Sequence, residues 1–140
     1  MQCVFDKEIA YEKLIPIILS ALMLTGCTGA DNSTNNTYRQ ISRAEVVTMM
    51  AEEPGHIVLG VRRADEFATG YIPSAINVAN ESIGTDEIPE LPDKDQLIMV
   101  YCRSGRRSKE AAEKLVKLGY TNIVEFGGIL DWKGETVTGQ

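Results

Sequence analysis

A strand, a charged six-residue loop and a helix follow one another without a spare residue between positions 97 and 119, and this succession constrains the chain more than any other stretch. Residues 97–101, Leu-Ile-Met-Val-Tyr, form a short apolar run rich in β-formers, which fits a strand covered on both faces in a parallel sheet. Beyond it, Ala111, Ala112, Leu115 and Leu118 recur at helical spacing while Lys and Glu fill the opposite face. Gly119 stands where such a helix stops. The connection is Cys102-Arg-Ser-Gly-Arg-Arg107, and Ser108 is either the N-cap of the helix or a residue of its first turn. A cysteine leaving the C-terminal end of a parallel strand sits where open α/β sheets place their ligands. The backbone N–H groups of Ser104, Gly105 and their neighbours can turn inward as an anion-binding nest, and the helix directs its positive end at the same spot. Arg103, Arg106 and Arg107 add cationic charge. All three effects favour thiolate over thiol and mark Cys102 as a nucleophile. The plainer alternative makes Cys102 a small core residue and the arginines a solvated face, and free cysteine is commonly buried. Three Arg with a Gly in one strand-to-helix turn argue for a site.

The rest of the chain repeats this alternation. Residues 38–41 suit a short first strand, and Ser42-Arg-Ala-Glu45 is a capping-box pattern that opens a helix running to about residue 52. Ala44, Val47, Met50 and Ala51 would be its apolar stripe, and Pro54-Gly55 ends it. Residues 57–61 read as a buried strand with Arg62 and Arg63 at its C-terminal end, on the same edge as Cys102 if the strands run parallel. One of these arginines is expected to pair with Glu66 and the other to face the cleft. Residues 64–69 form a short helix closed by Gly70, and residues 76–78 a third core strand. Residues 80–95 are acidic and interrupted by Pro89 and Pro92, the pattern of a helical turn and surface loop. Residues 123–126 are the last strand, Gly127-Gly128 a turn, and residues 129–132 a short helix that packs Trp132 on the domain. Strands and helices alternating at these lengths call for an α/β fold, with a mainly parallel central sheet of about five strands flanked by helices. His56, the one histidine, lies in a turn with no second His or Cys nearby to complete a metal site.

A chain of 140 residues suggests one domain, and its net charge of −6 counts against a nucleic-acid partner. The front end stands apart. Residues 14–24 are an apolar run of signal-peptide length, too short to span a bilayer. Leu24-Thr-Gly-Cys27 resembles the bacterial lipobox, in which the cysteine is lipidated and becomes the new N-terminus. Residues 1–26 are thus expected to be a lipoprotein-type signal peptide. Residues 27–37 are polar and too poor in apolar side chains to order themselves, as in a flexible tether. The domain occupies 38–136. This arrangement implies a bacterial membrane-anchored lipoprotein on the extracytoplasmic face, touching the membrane through its lipid alone. Cysteine usage agrees: with Cys3 removed and Cys27 lipidated, Cys102 is left as one unpaired thiol without a resolving partner.

Val100-Tyr-Cys-Arg-Ser-Gly-Arg-Arg-Ser108 resembles the active-site loop of single-domain rhodaneses, sulfurtransferases that carry sulfur as a cysteine persulfide. Residues 59–67, Leu-Gly-Val-Arg-Arg-Ala-Asp-Glu-Phe, and 70–78, Gly-Tyr-Ile-Pro-Ser-Ala-Ile-Asn-Val, look like the family's two earlier signatures. Residues 119–132 look like its closing segment. The resemblance implies a rhodanese-like fold and catalysis by Cys102. It also implies substrate binding by Arg103, Ser104, Gly105, Arg106, Arg107, Ser108 and Arg62. The expected donor is thiosulfate, polysulfide or a persulfide, and the acceptor a thiol or cyanide, with no metal and no organic cofactor. Three positions depart from the family pattern: Gly60 where Asp is usual, Tyr71 where His is usual, and Ser74 in place of Gly. Glycine loosens a strand end, so Gly60→Asp is expected to stabilise the domain or sharpen the loop. These departures leave open a non-catalytic module that binds a sulfur species or senses redox state. A phosphatase-like or arsenate-reductase-like reading fits less well, because Arg follows Cys102 after four residues and not five.

Overall fold

The computed structural model describes residues 37–139; the signal segment, Cys27 and all but the last residue of the tether lie outside them. Five strands, β1 (Arg39–Gln40), β2 (Ile57–Gly60), β3 (Ile76–Asn77), β4 (Ile98–Cys102) and β5 (Ile123–Gly128), form one sheet in the order β1-β5-β4-β2-β3. All neighbours pair in parallel. The helices are α1 (Arg43–Glu52), α2 (Ala64–Ala68) and α3 (Arg106–Lys117), with 3-10 turns at Asn80–Ser82 and Ile129–Asp131. The α/β architecture with a parallel five-stranded sheet is therefore as expected.

Strand β4 occupies the centre, and every one of its residues is buried. Both faces are covered, which is why its sequence is continuously apolar and does not alternate. Ile98, Val100 and Cys102 pack with Ala111, Ala112 and Leu115 of α3, whereas Met99 and Tyr101 pack with Val46, Phe67 and Phe126 on the other face. The period of two along the strand thus delivers Cys102 to the α3 side.

The apolar stripe of α1 differs from the expected one. Val46 is its buried residue and Val47 is 51% exposed. The Ser42–Glu45 capping box forms in both directions and fixes the helix start. Ile41 and Val46 then fall at the two staple positions and join the same core cluster. The acidic stretch after β3 is also more than surface: Ile83, Ile88 and Leu91 are buried among the side chains of the α3 face. Gly127 and Gly128 continue β5 instead of forming a turn. Pairing shifts between Val100↔Glu125 and Cys102↔Gly128, so Phe126 and Gly127 together oppose Tyr101. This bulge, with Gly127 at φ 97°, re-aims the end of β5 toward the cysteine loop. Tyr101, Phe126 and Trp132 pack in series as tilted pairs, with ring centroids 5.6 Å and 5.9 Å apart.

Candidate active site

Cys102 ends β4 and is completely buried. Burial alone would fit an inert core thiol. Its surroundings do not. The backbone N–H of Gly105 donates to Cys102 Sγ at 2.9 Å. Gly105, at φ 109°, is the N-cap residue of α3, and this left-handed conformation bends the loop back over the sulfur. The helix therefore begins directly beside Sγ, with no acidic residue in its first turn to offset its positive end. Ser108 is not the N-cap; it lies in that first turn, fully buried, and accepts a hydrogen bond from the Cys102 thiol at 3.6 Å.

The arginines do not converge on the sulfur. Arg107 forms a fork with Glu66 of α2, at 2.7 Å and 3.1 Å. That pair holds the Glu66 carboxyl at about 2, chiefly through the hydrogen bond from Arg107. Arg107 is in turn held protonated more firmly than a free guanidinium, by Glu66 first and with smaller contributions from Cys102 and Glu81. Arg106 pairs with Glu110 at 2.6 Å, and both Arg103 and Arg106 are exposed at the rim. The Arg103 carbonyl accepts from Leu130 N–H at 3.2 Å. Arg62 was expected to face the cleft or pair with Glu66; instead it is 5% exposed and donates from Nη1 to the Gly70 carbonyl at 2.6 Å. Its Nε is buried without a partner among the described residues. Arg63 offers Glu66 its backbone N–H and turns its side chain to Asp65. Thus Arg107, five positions after the nucleophile in the sequence but bound to another helix, fastens the loop to α2.

The unusual residues at positions 60, 71 and 74 have local causes. A Cβ on Gly60 would lie 2.9 Å from Phe67 Cε2 and 3.1 Å from Asn77 Oδ1. The Phe67 ring stacks on Tyr71 with centroids 4.4 Å apart and planes at 15°. Gly60 makes room for that stack, which corrects the expectation that Asp would be accommodated there. Tyr71 also bridges Val137 in both directions through its backbone at 2.9 Å. Ser74 holds φ 66°, the one non-glycine residue with positive φ among those described, where glycine would sit without strain. Gly128 has a different duty: a Cβ there would overlap the Arg103 carbonyl and approach Ser104 Cα to 2.6 Å. The loop backbone lies directly on this glycine.

One buried group escaped the sequence reading. Glu125 is 3% exposed on β5. Its Oε1 accepts from Ser108 Oγ at 2.6 Å and from Gly127 N–H at 2.8 Å. The available signal was its parity: it shares a face with Ile123, which α3 covers, so a charged residue there needs a partner. Nothing in the spacing named Ser108 as that partner. Among the described residues no group of three His, Cys, Asp or Glu side chains could hold a metal.

Comparison with known proteins agrees with this geometry. The Rhodanese-like domain family model matches residues 42–135. The chain is 32% identical over 98 residues to the putative sulfurtransferase YtwF of Bacillus subtilis, covering 70% of this chain and 93% of that protein. It is 32% identical over 73 residues to the thiosulfate sulfurtransferase PspE of Escherichia coli, covering 52% of this chain and 70% of that one. Among solved structures, an anion-bound rhodanese from E. coli superimposes with a TM-score of 0.55 at 30% identity, over 60% of this chain and 99% of that chain. A rhodanese-related protein from Thermoplasma volcanium gives 0.60 at 29% identity, over 71% and 98%. With a buried cysteine at the end of the central parallel strand and a family match that takes in four of the five strands, the chain belongs to the rhodanese-like family of sulfurtransferases.

Proposed function

We propose that Cys102 carries sulfane sulfur as a persulfide between an anionic donor, thiosulfate foremost, and a thiol or cyanide acceptor. The observation that carries this reading is the Gly105 N–H held 2.9 Å from Sγ at the start of α3. In the first step the Cys102 thiolate attacks the outer sulfur of thiosulfate. A bond forms between the two sulfurs, the donor's S–S bond breaks, and sulfite leaves with the bonding pair. Charge is conserved, and the new negative charge rests on the outer sulfur of the persulfide. The amides of residues 104–108 hold it; one such donor is typically worth about 2.7–4 kcal/mol of barrier. The exposed Arg103 and Arg106 draw the anion to the rim, while Arg107 keeps the loop in place through Glu66. An acceptor nucleophile then attacks the outer sulfur and restores the thiolate, so ping-pong kinetics are expected. Support for thiosulfate comes from the similarity to the thiosulfate sulfurtransferase PspE, and the buried Arg62 ties the end of β2 to Gly70.

The test is intact mass after brief thiosulfate treatment, beside Cys102→Ser. One added sulfur on the wild type alone, removed by cyanide, supports the reading; no adduct with thiosulfate, polysulfide or a persulfide donor refutes it. We further propose that Cys27 is lipidated and holds the domain at the outer side of the cytoplasmic membrane through the tether of residues 27–37. Cys27→Ala would then move the full chain from the membrane fraction to the soluble one, and an unchanged membrane fraction would exclude the anchor.

A further inference from the structure

Ser108 has one hydroxyl proton and three acceptors within reach: Gly105 O at 3.0 Å, Gly127 O at 3.4 Å and Glu125 Oε1 at 2.6 Å. The shortest contact is also the one to a carboxylate, and its length is that of a charge-assisted O–H···O bond. With its proton committed to Glu125, Ser108 presents lone pairs to Cys102, whose thiol donates to it at 3.6 Å. The hydrogen bonds therefore run in one direction, from sulfur through hydroxyl to carboxylate. All three residues are at least 97% buried by exposures of 0%, 0% and 3%, so bulk water does not compete along the chain.

We propose that Glu125 is a positioning residue that acts on Cys102 through Ser108 and accepts the cysteine proton when the sulfur attacks. This rests on the reading of Cys102 as the sulfur-carrying nucleophile. As the attack begins, the Cys102 S–H bond breaks and its proton goes to Ser108 Oγ. The original Ser108 proton passes to Glu125 Oε1, which becomes a neutral carboxyl. Sulfur keeps the bonding pair as thiolate, and nothing is oxidised or reduced. The arrangement has the logic of a nucleophile, a relay and a carboxylate that receives charge. Glu125 also lines a cleft beside the loop. The charged groups along that cleft are Arg43 of α1 and Arg106, Lys109, Glu110 and Glu113 of α3. Arg43 is tied to Asp131 and Arg106 to Glu110, and among the described residues only Ser108 and Gly127 hydrogen bond to the Glu125 carboxylate.

The experiment compares wild-type protein, Glu125→Gln and Ser108→Ala across a pH series. Two readouts are taken at Cys102 by peptide mass: alkylation by iodoacetamide and single-turnover persulfide formation from thiosulfate. Alkylation needs no sulfur donor, so it tests Glu125 even where thiosulfate is not the donor. The wild type is expected to react at a rate nearly independent of pH between about 6 and 8, because an internal base removes the proton. Both variants are expected to lose about 10²-fold at the acid end and to rise with unit slope toward wild-type rates as bulk hydroxide takes over. A variant profile that parallels the wild type, lowered by one constant factor or unchanged, overturns the proposal, since a purely structural role scales the rate without changing its shape. Ser108→Ala leaves the Glu125 carboxylate its hydrogen bond from Gly127 N–H, so it carries the test if Glu125→Gln does not fold.

Discussion

Substituting Gly60 tests how tightly the strand end is packed against α2. A Cβ there meets Phe67 Cε2 at 2.9 Å, Phe67 Cδ2 at 3.1 Å and Asn77 Oδ1 at 3.1 Å. Neither neighbour has freedom to retreat. Phe67 is 3% exposed and stacked on Tyr71, and the Asn77 amide is held by Arg62 N–H at 3.2 Å and by the Arg62 carbonyl at 2.8 Å. Overpacking of this kind costs about 1–3 kcal/mol. Losing a glycine from the unfolded chain offsets about 0.4–1 kcal/mol of that. Gly60→Ala is therefore expected to destabilise by roughly 0.5–2 kcal/mol, which lowers Tm by about 2–16 °C in a domain of this size. Gly60→Asp carries the same clash and adds a buried charge, so it falls further. The assay is thermal unfolding followed by circular dichroism, with Gly60→Ala/Phe67→Leu as the partner variant. Gly60→Ala is expected to cost less on the Phe67→Leu background than in the wild type, because the smaller side chain vacates the space that Cβ needs. A Tm for Gly60→Ala equal to or above wild type would refute the packing argument and restore the view that glycine merely loosens the strand.

Other outcomes follow from single contacts. Glu66 is held at about 2 against an ordinary 4.5, so its ion pair contributes stability that is full above about 4.5 and is lost as pH falls toward 2. Glu66→Gln is expected to cost on the order of 1–3 kcal/mol at pH 7 in chemical denaturation, with the gap to wild type closing at about pH 2, and a gap that persists in acid would refute it. Gly128→Ala forces the loop backbone off its seat and is expected to abolish persulfide formation while costing about 1–3 kcal/mol; full sulfur transfer in that variant would contradict the close approach seen here. Ser74→Gly relieves a residue at φ 66° and is expected to raise stability by about 0.5–1 kcal/mol, measured as a higher denaturant midpoint at unchanged slope.

Much of the molecule was legible in the order of its residues. The apolar run of β4, the helical repeat of α3 and the capping box of α1 are local patterns, and each element forms where its own periodicity places it. The position of Cys102 between strand and helix is likewise a local fact, since a parallel strand must hand its chain to a crossover at that end. The pairing of charges was not local. Three arginines in one loop look alike in sequence, yet Arg107 meets Glu66, which lies 41 positions away, and Arg106 meets Glu110 on its own helix. Arg62 stands at the right sheet edge and turns inward to a carbonyl. Val47 and Val46 are equally apolar, and Val46 is the buried one, at the staple position that packs with Ile41 in one cluster.

The same division holds at the sulfur. Residue order alone determines that a cysteine, a glycine able to adopt positive φ and a helix start arrive together, because all three lie within four residues of one another. That is enough to set the thiol beside the positive end of α3. Tertiary structure decided what lies beneath it. The β5 bulge brings Gly128 under the Arg103 carbonyl, and the pleat of β5 turns Glu125 toward α3, where it meets Ser108. Strand parity predicts the face on which a residue falls; which side chain waits there depends on the register of a helix and a strand that are joined only by the fold.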